Sequence, residues 1–317
     1  MTRSPIARWL LLCSLTVIGS ACGNKPADSP INDATAIDVD ADPLALLPSG
    51  GFAYVRVDLT RVRQDKALSD EVDAIAPGWG PFAAAEFVPS RDLNSAVCTA
   101  YSATGLDGVC VLTGAFKADQ IETAVATYQW PQAANQVLVK TVYQGKTLFT
   151  LANMGFTLLS PKTAIVGNES AIRRTLDRIA DRKVVRTIES WALETLETKD
   201  ADAALVVNAD TDVAKTARER LPAPLQNFRA LRAIANVRGD RVNVASTISF
   251  ADAAQAEKAE QAIAGGARLY ALGTLFGKFP SLNDFEVKTV GSDTQVKGTF
   301  LTGDVSQSLH KLPRGAK

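Results

Sequence analysis

Beyond residue 18, no apolar run in this 317-residue chain approaches the roughly 20 residues that a membrane-spanning helix needs. The apolar residues come in short packets instead. Some alternate with polar residues, some recur at the spacing of one helix face, and Gly, Pro, Asn and Asp stand between them. Such a chain folds as short strands and helices that cover one another, and any attachment to a membrane has to come from its N-terminus. Hydrophobic residues make up 46% of the sequence, enough for real cores, and the length suffices for two ordinary domains. Lys plus Arg and Asp plus Glu number 34 each, so no strong field draws nucleic acid and no nucleic-acid partner is expected.

The folded body is expected to open at Leu46-Leu47-Pro48. Phe52 to Leu59 then alternates, with Ala53, Val55, Val57 and Leu59 on one side, as a half-buried strand does. Val97 to Ala100 and Gly108 to Thr113 read as a hairpin, and Ala118, Ile121, Ala124, Val125 and Tyr128 line one face of a helix. A meander follows through Val137 to Tyr143, Leu148 to Leu151, Phe156 to Leu159 and Ala164 to Val166, with turns at Gln144-Gly145 and Pro161-Lys162 and a helix from about Glu169. Next come a helix around Trp191, Leu193 and Leu196, a strand over Ala203 to Ala209, helical segments after Asp210, and a hairpin turning at Gly239-Asp240. That hairpin carries Val242, Val244 and Ile248 on one face. An Ala-rich helix from about Ala251 and a last hairpin turning at Gly291-Ser292-Asp293 complete the chain.

Parts of this order recur. Asp58 and Asp210 end comparable strands, Phe116 and Phe250 open comparable helices, and Lys140-Thr141-Val142 and Lys288-Thr289-Val290 sit in comparable strands. The expected fold class is α+β, built as two divergent copies of one mixed strand-helix unit with mainly antiparallel sheets, residues 46–186 and 187–317.

Residues 1–8 carry Arg3 and Arg8 with no acid, residues 9–18 are largely apolar, and Gly19-Ser20-Ala21 places small residues before Cys22. Residues 1–21 read as a secretory signal. The segment resembles the bacterial lipobox, which implies that Cys22 receives diacylglycerol, is acylated again, and anchors the mature chain. Gly19 departs from the aliphatic residue usual there, and ordinary signal cleavage at the same bond would leave Cys22 a free thiol. Gly23 in place of Asp implies, by the sorting rule of enteric lipoproteins, the outer membrane facing the periplasm. Residues 22–45, with Asp38, Asp40 and Asp42, read as a lipidated flexible tether. The aspartate spacing invites a calcium loop, but Pro43 and Ser49 stand where that loop needs Gly and Glu. Leu47-Pro48 followed by Tyr54-Val55-Arg56-Val57-Asp58 also resembles the opening of a group of bacterial envelope proteins of unknown function, a likeness over about a dozen residues that implies no activity.

Cys98 and Cys110 remain after the signal is removed. A turn centred on Thr104 sets them opposite each other, where Cβ atoms approach to roughly 4.5 to 5.5 Å, so an exported chain is expected to bond them. The alternatives are two buried thiols that stay reduced, or a redox pair, which usually needs closer spacing at a helix start.

The single histidine, His310, reads as a solvated residue of a C-terminal tail, which removes most triad and zinc mechanisms. Gly265-Gly266 lacks the Lys and Ser/Thr of a nucleotide loop and reads as a helix break or close packing. Arg174, Arg178 and Arg182 form a helix stripe that could meet anionic lipid or cell-wall polymer, although the interleaved Glu169, Asp177 and Asp181 point to surface ion pairs. Ala251 to Gly277, with Leu269, Tyr270, Leu272, Leu275 and Phe276, reads as a helix whose C-terminal half packs on the sheet, the alternative being an end that forms a lipid-facing groove. No catalytic residue, metal site or cofactor emerges. The expectation is a non-enzymatic envelope lipoprotein that binds or positions an envelope protein or cell-wall component. The alternatives are a carboxylate-dependent envelope hydrolase and a carrier of an apolar ligand.

Overall fold

The structure, a computed structural model, describes residues 37–74, 81–103, 107–127, 138–275 and 282–311. The signal, Cys22, the start of the tether, Thr104, Tyr128 and Phe276 lie outside the described residues. In chain order the elements are α1 (Pro43–Leu46), β1 (Ala53–Asp58), α2 (Leu59–Val62), α3 (Lys66–Asp73), α4 (Pro81–Ala84), α5 (Pro89–Asp92), β2 (Leu93–Ala100), β3 (Gly108–Gly114) and α6 (Ala118–Thr127). The meander is β4 (Val139–Tyr143), β5 (Lys146–Leu151), β6 (Met154–Leu158) and β7 (Thr163–Asn168), followed by α7 (Glu169–Ala180) and α8 (Ser190–Leu196). The remainder is β8 (Ala203–Asn208), α9 (Asp212–Arg218), a single 3-10 turn, β9 (Ala230–Arg238), β10 (Arg241–Ser249), α10 (Ala253–Leu275), β11 (Leu282–Val290), β12 (Asp293–Leu301) and α11 (Thr302–Lys311).

The strands form one open 12-stranded antiparallel sheet in the order β11-β12-β10-β9-β8-β1-β2-β3-β7-β6-β5-β4. On either side of the β1–β8 pairing the plan repeats: strand, helix, hairpin, helix, hairpin, helix. The fold is therefore α+β with the two-copy organisation that the sequence predicts, the halves sharing one sheet. The extra hairpin β4–β5 lengthens the first half. It also corrects one expected match, because Lys140 lies in β4 and Lys288 in β11. Both are outer strands, but β11 corresponds by adjacency to β6.

Each face of the sheet carries its own core. On the face that bears Tyr54, the residues Val97, Val109, Val111, Leu148, Ile165 and Val206 pack under Ile172 and Leu176 of α7, Leu196 of α8, and Leu46 and Leu47. On the opposite face Cys98, Cys110, Leu112, Phe149 and Phe156 pack under Phe82, Phe87, Phe116 and Ile121. Period-two alternation sends neighbours to opposite sides, so β1 buries Tyr54 on one face and packs Val57 on the other. The half-buried reading of this strand is corrected: helices cover both of its faces.

Three further expectations change. The tether ends earlier than residue 45. Asp38 accepts from the Asp40 backbone N–H (3.0 Å), Asp42 caps α1 and Leu44 is buried, so these residues belong to the folded body. His310 lies in α11 instead of a tail. At Gly265-Gly266 α10 neither breaks nor packs closely: both glycines are exposed, and a Cβ on either would meet no described atom within 4 Å.

Candidate functional site

The two halves differ in where their last helix goes. In the first, α7 follows β7 and lies on the tyrosine face over β3, β6 and β7. In the second, α11 follows β12 in the equivalent position but packs on α3 of the first half, whose Val72 belongs to the cysteine-face core, and Ser306 Oγ donates to Glu71 Oε1 (3.1 Å). α10 also lies on the cysteine side, where Thr294 Oγ1 donates to the Ala256 carbonyl (2.9 Å). Among the described residues, no helix follows α8 onto the tyrosine face of β10, β12 and β11.

That bare face is polar in ordered rows. Asn236, Asn243 and the buried Thr299 stand side by side across β9, β10 and β12; the next row is Ile234, which still packs against the tyrosine-face core, then Ala245, Lys297 and Glu286; the next is Arg232, Thr247, Gln295 and Lys288. On β11 the alternation is sharp: Glu286, Lys288 and Val290 are exposed, whereas Phe285, Val287 and Thr289 are half-buried on the α10 side. Four strands span about 14 Å. Thr299 Oγ1 donates to Asn243 Oδ1 (3.0 Å), and two ion pairs lie on the surface, Arg232 to Asp293 (3.6 Å) and Lys288 to Glu286 (3.7 Å). Lys297 and Arg241 are exposed and enter no ion pair among the described residues. The face therefore offers side-chain amides, hydroxyls and two unpaired cations, a set suited to holding a polar anionic ligand.

Next to this face is a charged junction between the halves. Asp202, just ahead of β8, has a side chain only 2% exposed and accepts from the Val237 backbone N–H (2.6 Å), Arg238 (3.2 Å) and Arg61 (3.4 Å). Arg56 on β1 donates to the carbonyls of Leu196, Thr198 (3.1 Å) and Ala201 (2.9 Å), so the loop before β8 is tied to β1. Asp58 caps α2 by accepting from the Thr60 N–H (3.0 Å) and hydroxyl (2.5 Å). Tyr54, Arg56 and Asp58, the residues of the Tyr-Val-x-Val-Asp motif, thus have structural work at the joint.

The structure bonds Cys98 to Cys110 with Cα atoms 4.0 Å apart. The Tyr101 N–H donates to the Asp107 carbonyl (2.8 Å), which makes 101/107 a hydrogen-bonded pair and, by alternation along the register, leaves Cys98/Cys110 as the closer, non-hydrogen-bonded kind. Of the aspartates that invite a calcium loop, Asp40 accepts from the Ser160 (2.5 Å) and Thr163 (2.6 Å) hydroxyls, which hold its carboxyl below the usual carboxylate range. Asp42 pairs with Arg186 (2.6 Å).

No family model and no curated protein matches the chain. Solved structures do. Crystal form III of the Treponema protein TP0453 aligns with a TM-score of 0.57 at 12% identity, covering 87% of this chain and 100% of that one. Crystal form I aligns at 0.52 and 11% identity over 85% and 98%, and crystal form IV at 0.50 and 12% over 84% and 96%. At these identities the likeness concerns the fold.

Two arginines of the expected stripe, Arg174 and Arg178, are half-buried and reach back to the body, whereas Arg182 is exposed. Arg174 stacks on the Tyr101 ring (4.1 Å) and pairs with Asp107 (3.3 Å), and Arg178 donates to the carbonyls of Ala45 (3.0 Å) and Val185 (2.7 Å). Arg182 lies beyond the helix end with φ of 59°. The expected surface ion pairing holds for Glu169 with Arg173 (2.6 Å) and for Asp181 with Lys183 (2.9 Å) but not for Asp177, which accepts from the Tyr143 hydroxyl (2.8 Å). Burial raises the Tyr101 hydroxyl above its ordinary pKa while it donates to the Pro48 carbonyl (2.7 Å). Sequence reading missed the bare face and Asp202. The face had a legible signal, the Glu286-x-Lys288-x-Val290 alternation opposite Gln295-x-Lys297-x-Thr299. Asp202 had none, since Lys199-Asp200-Ala201-Asp202 reads as an ordinary turn.

Proposed function

We propose that this chain is an exported envelope lipoprotein, anchored through Cys22 in the outer membrane and facing the periplasm, with a non-enzymatic binding role carried by the bare tyrosine face of its second half. The observation that carries the reading is the crossing of α11. The last helices of the two copies go to opposite sides of the sheet, and the departure of α11 leaves the tyrosine face of β10, β12 and β11 without the helix that covers its counterpart in the first half. Arg232 pairs with Asp293 across β9 to β12 and Lys288 with Glu286 along β11, so polar groups of both signs are displayed on that surface. The signal, the small residues before Cys22 and the bonded cysteine pair support an exported location.

Two measurements test the proposal. Labelling with a clickable fatty acid is expected to mark the wild-type chain and not Cys22→Ser; equal labelling would remove the anchor. Cross-linking in intact cells through a photoreactive residue at position 243 is expected to capture envelope material. The same probe at Lys258, exposed on α10, is expected to capture none of it, and identical products from the two positions would remove the face.

A further inference from the structure

Taking the bare face as the binding surface, we infer that its ligand is an acidic polysaccharide strand. Charge is the first ground. The face carries Arg232, Arg241, Lys288 and Lys297 against Asp293 and Glu286; Arg232 pairs with Asp293 and Lys288 with Glu286, while Arg241 and Lys297 enter no ion pair among the described residues. The whole chain has no net charge, so this excess is local. Chemistry is the second. Asn243, Gln295 and Thr247 stand between the cations, and amides and hydroxyls donate to and accept from sugar hydroxyls while the cations meet carboxylates. Geometry is the third. Side chains repeat about 6.8 Å apart along each strand and about 4.8 Å between strands, which suits an extended polymer lying across the sheet. A peptide adding as a strand would need a sheet edge and not a face, and a lipid surface would need exposed large apolar side chains to insert, which among the described residues of this face are Val290 and Leu301 at the margins.

The test uses the full mature chain with Cys22→Ser, wild type elsewhere, and three probes: polygalacturonate, neutral dextran and vesicles of phosphatidylglycerol. Polygalacturonate is expected to bind and dextran not to. The affinity should fall about tenfold or more in Lys297→Glu/Arg241→Glu, and should also fall when salt rises from about 0.05 to 0.2 M. Reversing Lys66 and Lys258, exposed residues of α3 and α10, is expected to leave binding unchanged, and circular dichroism checks that both variants fold. An equal loss from the second pair would overturn the inference, because overall charge would then explain it. Binding to vesicles without binding to polygalacturonate would replace the polysaccharide with a lipid headgroup. If polygalacturonate fails but envelope material still cross-links to position 243, the ligand class is wrong and the face stands; if both fail, both readings fall.

Discussion

Asp202 shows what a single residue does at the joint of the two halves. Its carboxylate is almost fully withdrawn from water and is held by one backbone N–H and two guanidinium groups. Replacing it with Asn keeps the shape but leaves Arg61 and Arg238 facing a neutral group, and Asp202→Asn is expected to destabilise the chain by about 3 kcal/mol in urea unfolding. Arg238→Ala should cost less than about 1 kcal/mol, because that side chain is 55% exposed. Equal losses would show that the buried carboxylate does not organise the cluster. Asp40 has a pH signature. The Ser160 and Thr163 hydroxyls lower its folded pKa below the unfolded value, so its contribution is present above about pH 4 and is lost as pH falls through the lower folded value. The urea midpoint of Asp40→Asn should therefore lie below wild type at pH 7, with the gap closing on acidification; a constant gap would mean that the charge is irrelevant. The Cys98–Cys110 pairing, by contrast, is legible from residue numbers alone, because a hairpin's register follows from the centre of its turn. The roles of Asp202 and Asp40 are not legible, since their partners lie 35 and 120 or more residues away.

At the scale of elements, α10 runs unbroken through Gly265-Gly266 with open space where each Cβ would sit. Glycine in a helix interior costs about 0.5 to 1 kcal/mol relative to Ala, so Gly265→Ala and Gly266→Ala are each expected to raise stability by that amount in urea unfolding. A loss instead would reveal a close neighbour or a needed flexibility at that point. The turns behave as their residues dictate. Gln144 and Gly145 adopt φ of 49° and 71°, the left-handed pair that closes the tight β4–β5 hairpin. The outermost strand β11 is interrupted by an irregularity between Asn283 and Glu286, with Asp284 at φ of 49°, and displays charges, a combination that discourages pairing with another sheet.

For the whole molecule, the β1–β8 pairing is an interior ladder of a continuous sheet. The tyrosine-face core draws Tyr54 and Val97 from one half and Leu196, Val206 and Ile234 from the other. The clasp of α11 on α3 adds a second cross-connection. Unfolding is therefore expected as one transition, with tryptophan fluorescence and circular dichroism tracing the same urea curve; separate midpoints would mean that the halves hold their cores alone. The sequence by itself determined the local elements, their turns, the recurrence of the plan and the Cys98–Cys110 register, because periodicity and turn chemistry act over a few residues. Only the tertiary structure decided that the two copies share one sheet, that Asp38 to Asp42 join the body, that Arg174 and Arg178 of α7 reach Tyr101, Asp107 and the Ala45 carbonyl, and that α11 crosses to the opposite side to leave a polar face without a covering helix. Those outcomes depend on which distant apolar surfaces bury one another and which distant donors find an acceptor, and no short stretch of sequence contains both partners.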